Sequence, residues 1–248
     1  QVQERLQRDR PAVVFDRFVY EEKFIRTLPT SAGVYVMYDR NDQPIYIGKA
    51  KNLQERVSCY FQSTAQVDEK LAEIRRQLAD VRILPTGSEL EARLLEYKLI
   101  LQWDPPINRQ LQVKDRPHRQ KNRFPRIVIF SAAASAHASL FFIHPEKPLL
   151  SVALLRSQEA TPSAVFERVL PLADHETLAT VINDYFFVPA AAALPADPYR
   201  EIAVSWLSEY ETDVESIDMR QVAHAGDAVR LITAYLQSDR VAEPRIFY

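Results

Sequence analysis

Two short runs of β-favouring residues, GVYVMY at 33–38 and PIYIG at 44–48, stand either side of the polar turn DRNDQ. The pattern predicts a β-hairpin, and a hairpin dictates which side chains share a face. Val34 and Val36 fall on one face with Ile45 and Ile47, which suits a core. Tyr35 and Tyr46 point the other way, with Gly48 on their side. The chain has only four glycines, and Gly33 and Gly48 bracket these tyrosines. A glycine there leaves the backbone open to close approach by a ligand. The hairpin alone admits two readings: a cross-strand aromatic pair covering a sheet face, or tyrosines turned toward a ligand.

The next residues supply a charge for such a ligand. Asn52 with Glu55 three residues on matches a capping box and predicts a helix from about Leu53. Leu53, Val57 and Phe61 recur at helical spacing and face a core, while Arg56 and Tyr60, four apart, stack on another face. The polar face of the whole stretch thus carries Tyr35, Tyr46, Lys49, Arg56 and Tyr60. Lys49 sits just before the helix start, where backbone N–H groups favour an anion. Arg56 can grip a phosphate with two parallel hydrogen bonds, which a lysine cannot. Taken alone, Arg56 reads equally as an exposed arginine beside the capping Glu55.

A second capping signal, Ser88 with Glu91, opens the helix ELEARLLEYKLILQW, which ends before Pro105 and Pro106. On its surface Glu96 is flanked by Ala92, Leu99 and Ile100. A carboxylate so placed either snorkels to solvent or is held at a core edge, where its charge needs a cation or donors. A hard divalent ion such as Mg²⁺ commonly takes one or two carboxylates and keeps its waters.

Elsewhere the reading is coarser. A short helix is expected at Tyr20–Leu28, another over 67–78, and a third strand at VRILPT. Further on, RIVIF, SLFFIH and LLSVALLR read as strands, with EKP as a tight turn and PAAAALPADP as a connection. Helical patterns cover about 163–187 and 222–237, and a strand is expected near Ile202–Trp206. The economical division is a lead-in over 1–27, a first domain over 28–115, a basic linker over 116–126 and an acidic second domain over 127–248. The second domain reads as an α/β type of uncertain fold.

Charge is distributed unevenly between these parts. With 31 Lys/Arg against 33 Asp/Glu the net charge is −2, but residues 1–126 carry 23 against 17 and residues 127–248 carry 8 against 16. Residues 109–126 hold seven basic residues and one acid, the entire positive excess of the first half. Such asymmetry points to a polyanion partner for one half, unless the run is only a solvated linker. A single cysteine, Cys59, forbids an internal disulfide and fits a reducing compartment, so a cytoplasmic location is expected. One cysteine and five scattered histidines offer no zinc-ligand spacing. No apolar run is long enough to span a bilayer, and the charged opening thirty residues predict no secretory leader.

GVY and YIG separated by a short turn, followed by KAKNLQERVSCYF, GSELEARLLEYKLI and PPIN, resemble the GIY-YIG nuclease superfamily. The resemblance runs over roughly residues 28–115 and is to the N-terminal nuclease domain of UvrC, a subunit of the bacterial excision-repair endonuclease. It implies an α+β fold, a small three-stranded antiparallel sheet flanked by helices. It also implies metal-dependent hydrolysis of DNA phosphodiester bonds with Mg²⁺ or Mn²⁺. The family's motif tyrosines fall on Tyr35 and Tyr46, with Gly33 opening the first motif. Its motif glycine and lysine fall on Gly48 and Lys49, its helix arginine on Arg56 and the tyrosine after it on Tyr60. The metal-binding glutamate corresponds to Glu96, and the asparagine closing the domain to Asn108, which braces the site.

Lys51 and, in the basic stretch, Lys114, Arg116, Arg119 and Lys121 are the candidate DNA contacts. A repair-protein partner would meet the acidic second half, and no membrane role is expected. The sequence departs from the UvrC pattern at Ala32, where proline is usual, and at Leu101, where lysine is common. It also lacks the cysteine-rich segment, the ribonuclease-H acidic set and the tandem helix-hairpin-helix of UvrC. Structure- or damage-directed incision in DNA repair is the expected function. The alternatives are a restriction or homing-type endonuclease, and a non-catalytic module that binds DNA or a protein.

Overall fold

In a computed structural model, which describes residues 22–61, 69–109, 124–131, 136–190, 197–210 and 214–238, the hairpin forms as β1 (Gly33–Tyr38) and β2 (Pro44–Ala50). Its turn is held by the Asp39 carboxylate, which accepts from the amides of Asn41 at 2.8 Å and Gln43 at 2.9 Å. Asp42 takes φ 60°, a left-handed conformation that aspartate tolerates. β3 (Asp80–Pro85) pairs with the far side of β1, giving an antiparallel sheet in the order β2-β1-β3.

Helices α1 (Glu22–Thr27), α2 (Leu53–Ser58), α3 (Glu69–Gln77), α4 (Glu89–Trp103) and α5 (Pro106–Arg109) accompany this sheet. Both caps form where the sequence placed them: the side chains of Asn52 and Ser88 accept from the amides of Glu55 at 3.0 Å and Glu91 at 3.1 Å. The first unit is therefore the expected three-stranded antiparallel sheet with helices.

Both faces of this sheet are buried. Val34, Val36, Tyr38 and Ile47 pack with Ala92, Leu95 and Leu99 of α4. On the other face Tyr35, Met37 and Tyr46 pack with Leu53 and Val57 of α2, Ile74 of α3 and Ile107 of α5. Ile45 joins this second group, contrary to the simple alternation. The register shifts between Met37 and Tyr38, so that Tyr38 pairs with Pro44 and the alternation slips at the start of β2. Each fully buried side chain such as Leu53 or Val57 stabilises the fold by about 1.5–3 kcal/mol.

The chain divides into two units, Gln1–Arg116 and Pro117–Tyr248. The second holds a five-stranded mixed sheet of β4 (Arg126–Phe130), β5 (His137–Ile143), β6 (Leu150–Leu155), β7 (Arg168–Pro171) and β8 (Ser216–Asp218). Its order is β7-β6-β5-β4-β8, antiparallel except for the parallel pair β6 and β7. Leu178 and Ile182 of α6 (His175–Ile182) and Ile232 of α8 (Ala225–Gln237) share a core with Ile127, Leu140 and Phe142. Trp206 of α7 (Pro198–Tyr210) meets Phe130 edge-on at 5.5 Å between ring centroids.

Two expectations for this half are corrected. Residues 202–206 are helical, because Ala203, Trp206 and Leu207 recur at i, i+3 and i+4 and all three are buried. The stretch 163–187 is not one helix: RVLP pairs with β6 as strand β7, and α6 starts only after Asp174, whose carboxylate accepts from the Thr177 amide at 3.1 Å. A π-helical turn, Asn183–Phe187, then continues α6. Among the described residues, no helix is long and apolar enough to cross a membrane.

Candidate active site

β1 and β2 place Tyr35 opposite Gly48, and Met37 opposite Tyr46. The Tyr35 ring lies over Gly48 so closely that a Cβ there would overlap the phenol. The glycine thus makes room for a tyrosine of the neighbouring strand, and not for a ligand as its position in the sequence suggested. Gly33 is required for a similar reason, since a Cβ would come within 2.6 Å of both Leu53 Cδ1 and the Leu84 carbonyl.

The turn after α2 brings Tyr60 to the same place. Its hydroxyl lies 2.7 Å from that of Tyr35. The rings of Tyr35, Tyr46 and Tyr60 form a triangle with centroid separations of 5.6–6.4 Å. These tyrosines do not lie on an exposed polar face, as the sequence suggested: Tyr35 is 1% exposed, and Tyr46 and Tyr60 are each 6% exposed. Arg56 is exposed, with its guanidinium 5.4 Å from the Tyr60 ring centroid, so the four-residue spacing does stack this pair.

Lys49 departs from that face too. It pairs with Val34, so its side chain leaves β2 on the face opposite Tyr35 and Gly48. There Lys49 approaches Glu89 at 3.9 Å, and the same carboxylate meets Lys51 at 3.2 Å and Arg93 at 3.8 Å. Lys51 remains exposed despite this pairing. A solvent-facing ion pair contributes little, so the ammonium can exchange Glu89 for another anion. Lys114, Arg116, Arg119 and Lys121 lie outside the described residues.

Glu96, in the middle of α4, is half-buried, and its Oε1 accepts the Lys49 backbone N–H at 2.9 Å. It does not snorkel outward. Burial raises its carboxyl above the ordinary range, against the lowering charges of Lys49, Arg93 and Lys70. A carboxylate in this state gains from a cation at its second oxygen. Among the described residues no three His, Cys, Asp or Glu side chains converge as a metal cage. A divalent ion at Glu96 would therefore keep most of its waters, which is how Mg²⁺ binds proteins. The residues fit such an ion.

Burial also raises Tyr35 and Tyr46. It pushes Tyr35 well above the ordinary phenol, with Tyr46 and Tyr60 adding to the effect. Tyr46 is raised by burial first, then by Tyr60 and Glu96. The cation touching Tyr46 is Lys70, at 2.9 Å from its hydroxyl, and not Lys49. Nothing in the sequence singled out Lys70, which stands in an ordinary amphipathic helix.

Asn108 is brought to β2 by α5. Asp104 ends α4 in a left-handed conformation, φ 47°, and Pro105 and Pro106 turn the chain back. The buried Asn108 amide then bonds both backbone groups of Ile47, one residue from Tyr46 and one from Gly48.

Residues 31–109 match the family model of the UvrC-like GIY-YIG domain. UvrABC system protein C of Ectopseudomonas mendocina is 38% identical over 125 residues, 49% of this chain and 20% of the relative. The protein of the same name from Pseudomonas putida is 36% identical over 140 residues, 55% of this chain and 23% of the relative. The GIY-YIG N-terminal endonuclease domain of UvrC from Thermotoga maritima, crystallised with its catalytic divalent cation magnesium, is 34% identical. That match covers 35% of this chain and 92% of that one, with a TM-score of 0.31.

Residues 31–109 thus belong to the GIY-YIG nuclease superfamily. Within it, the segment is of the UvrC-like type. The chain spans about a fifth of the length of the curated relatives it matches.

Proposed function

We propose that this chain is a divalent-metal-dependent DNA endonuclease whose chemistry resides in a domain spanning residues 28–115. The observation that carries the reading is Glu96, a half-buried carboxylate with a raised pKa, tied to the backbone of β2 beside the tyrosine cluster. Lys70 links the two, since it bonds the Tyr46 hydroxyl and its charge acts on Glu96.

Glu96 would hold one Mg²⁺ or Mn²⁺ ion, which supplies Lewis-acid polarisation of the scissile phosphate. Arg56, exposed at the rim of the cluster, neutralises charge building on the phosphoryl oxygens. Tyr46 would take the proton of the attacking water in its ionised form, its own phenolic proton having first passed to solvent. The Tyr46 oxygen accepts from the Lys70 ammonium, which favours its ionised form, while the hydroxyls of Tyr35 and Tyr60 lie beside it. An ordinary phenol, with a pKa of about 10, is a weak base at neutral pH, so this step depends on positive charge nearby. Gly48 seats the Tyr35 ring, and Asn108 fixes the strand that carries Tyr46.

DNA is the substrate this chemistry serves. Lys51 and the basic residues Lys114, Arg116, Arg119 and Lys121 are its phosphate contacts. The resemblance to UvrC favours a structure- or damage-directed role in DNA repair over restriction or homing, and the single cysteine fits the cytoplasm. The acidic residues 127–248 would meet a repair-protein partner. Cleavage of a panel of nicked, branched, damaged and plain duplex DNAs by the full chain tests this function. Incision with Mg²⁺ or Mn²⁺ that stops with a chelator supports it; binding without incision on every DNA favours the non-catalytic module.

A further inference from the structure

Tyr46 is surrounded by titratable groups from every element packed around it. Tyr35 comes from β1, Arg56 from α2, Tyr60 from the turn that follows, Lys70 from α3 and Glu96 from α4. Lys70 stands out among them by its geometry. Its Nζ is 2.9 Å from the Tyr46 hydroxyl and 4.2 Å from the ring centroid, so one ammonium both donates to the oxygen and lies over the ring.

The helix that carries Lys70 is held in place independently. Ile74 of α3 is fully buried, and Arg75 donates from Nε to the Tyr60 carbonyl at 2.7 Å. α3 therefore touches two of the three tyrosines, one through a side-chain oxygen and one through the backbone. A lysine held this way has given up much of its rotamer freedom.

Donation from Lys70 has a directional consequence. A phenolic oxygen has one proton and two lone pairs. With one lone pair taken by the ammonium, the Tyr46 proton turns away from α3. Once that proton has left to solvent, the ammonium stabilises the phenolate, which can then take a proton from a third molecule. We propose that Lys70 is a positioning residue, which orients the Tyr46 hydroxyl and favours the ionised form that can accept a proton. This rests on the nuclease reading given above.

The competing explanation is structural: Lys70 merely covers an aromatic ring and helps α3 to pack. A double-mutant cycle separates the two, because a residue acting through the Tyr46 oxygen has nothing left to act on once that oxygen is gone. Single-turnover cleavage of supercoiled plasmid DNA with Mg²⁺ would be compared for the parent, Lys70→Met, Tyr46→Phe and the double variant. Lys70→Met should slow cleavage by about 10- to 100-fold, the range typical for loss of a partner that supports a reacting group, with DNA affinity little changed. Lys70→Arg should restore most of the rate. In the Tyr46→Phe background Lys70→Met should add less than about twofold. Losses that multiply in the double variant overturn the inference.

A second readout needs no catalysis. In ¹³C-tyrosine-labelled protein the Tyr46 Cζ resonance, assigned through its loss in Tyr46→Phe, should move in Lys70→Met and much less in Lys70→Arg. An unmoved resonance overturns the inference whatever the enzyme does. A moved resonance in a protein that cuts no DNA upholds the contact and overturns the nuclease reading instead.

Discussion

The side chain of Asn108 does for Ile47 what a neighbouring strand would do. Its Oδ1 accepts the Ile47 N–H at 2.8 Å and its Nδ2 donates to the Ile47 carbonyl at 2.9 Å. β2 is an edge strand, so without Asn108 these buried groups would have no strand to pair with. The segment they anchor includes Tyr46, Gly48 and Lys49.

Asn108→Ala should therefore destabilise the first unit, since each buried polar group left unsatisfied costs about 1–3 kcal/mol. Urea unfolding followed by far-UV circular dichroism measures this. A loss below about 0.5 kcal/mol, the range of surface substitutions, would show that Ile47 does not depend on the amide.

Arg56→Lys separates charge from shape. The guanidinium is exposed beside the Tyr60 ring, so the fold should tolerate the change within about 0.5 kcal/mol. Turnover should nonetheless fall by about 10²-fold or more, because lysine cannot donate two parallel hydrogen bonds to a phosphoryl group. Cleavage at the parental rate would reduce Arg56 to a general electrostatic contact.

The raised carboxyl of Glu96 has a signature in stability. Its cause is burial, opposed by Lys49, Arg93 and Lys70. Because the folded-state value lies above the unfolded one, near ~4.3, folding favours the protonated form. That contribution is fully present below the unfolded value and is lost as pH rises through the folded one. Glu96→Gln keeps an acceptor for the Lys49 N–H and removes the titration. The variant should match the parent in acid and be at least as stable at neutral pH without divalent ions. Denaturation curves recorded across that window check the sign; parallel stabilities for the two proteins would contradict it.

Much of the site was legible in the sequence because it depends on local rules. The two caps, the hairpin and the stacking of Arg56 on Tyr60 follow from spacing alone, and all form as expected. What spacing could not convey is what lies on the far side of each face. Alternation placed Tyr35 and Tyr46 together, but α2, α3 and α5 cover that face, and this turns a seemingly polar surface into a buried cluster. The register slip that moves Ile45 to the same side is likewise a property of the paired strands. Lys70 was invisible because its partner is 24 residues away, across a fold that had first to form. In the second half, Ile202–Trp206 alternates as a strand does, and only the burial of Ala203, Trp206 and Leu207 reveals the helix.

The basic stretch over 109–126 can be tested in solution through its charge. Each phosphate neutralised contributes about −0.9 to the slope of log affinity against log salt. Replacing Lys114, Arg116, Arg119 and Lys121 with Gln should flatten that slope by roughly 2 to 4 units and weaken all DNAs similarly. Cleavage at saturating DNA should change little. An unchanged slope would make the segment a tether.

If Glu96 is the carboxylate that holds the metal, divalent-dependent cleavage requires it. The deciding measurement is Mg²⁺-dependent cleavage by Glu96→Ala beside the parent, with DNA affinity measured on the same samples. Abolished cleavage with affinity retained within a few-fold is the predicted result. Cleavage by the variant at the parental rate and the parental Mg²⁺ dependence would contradict it.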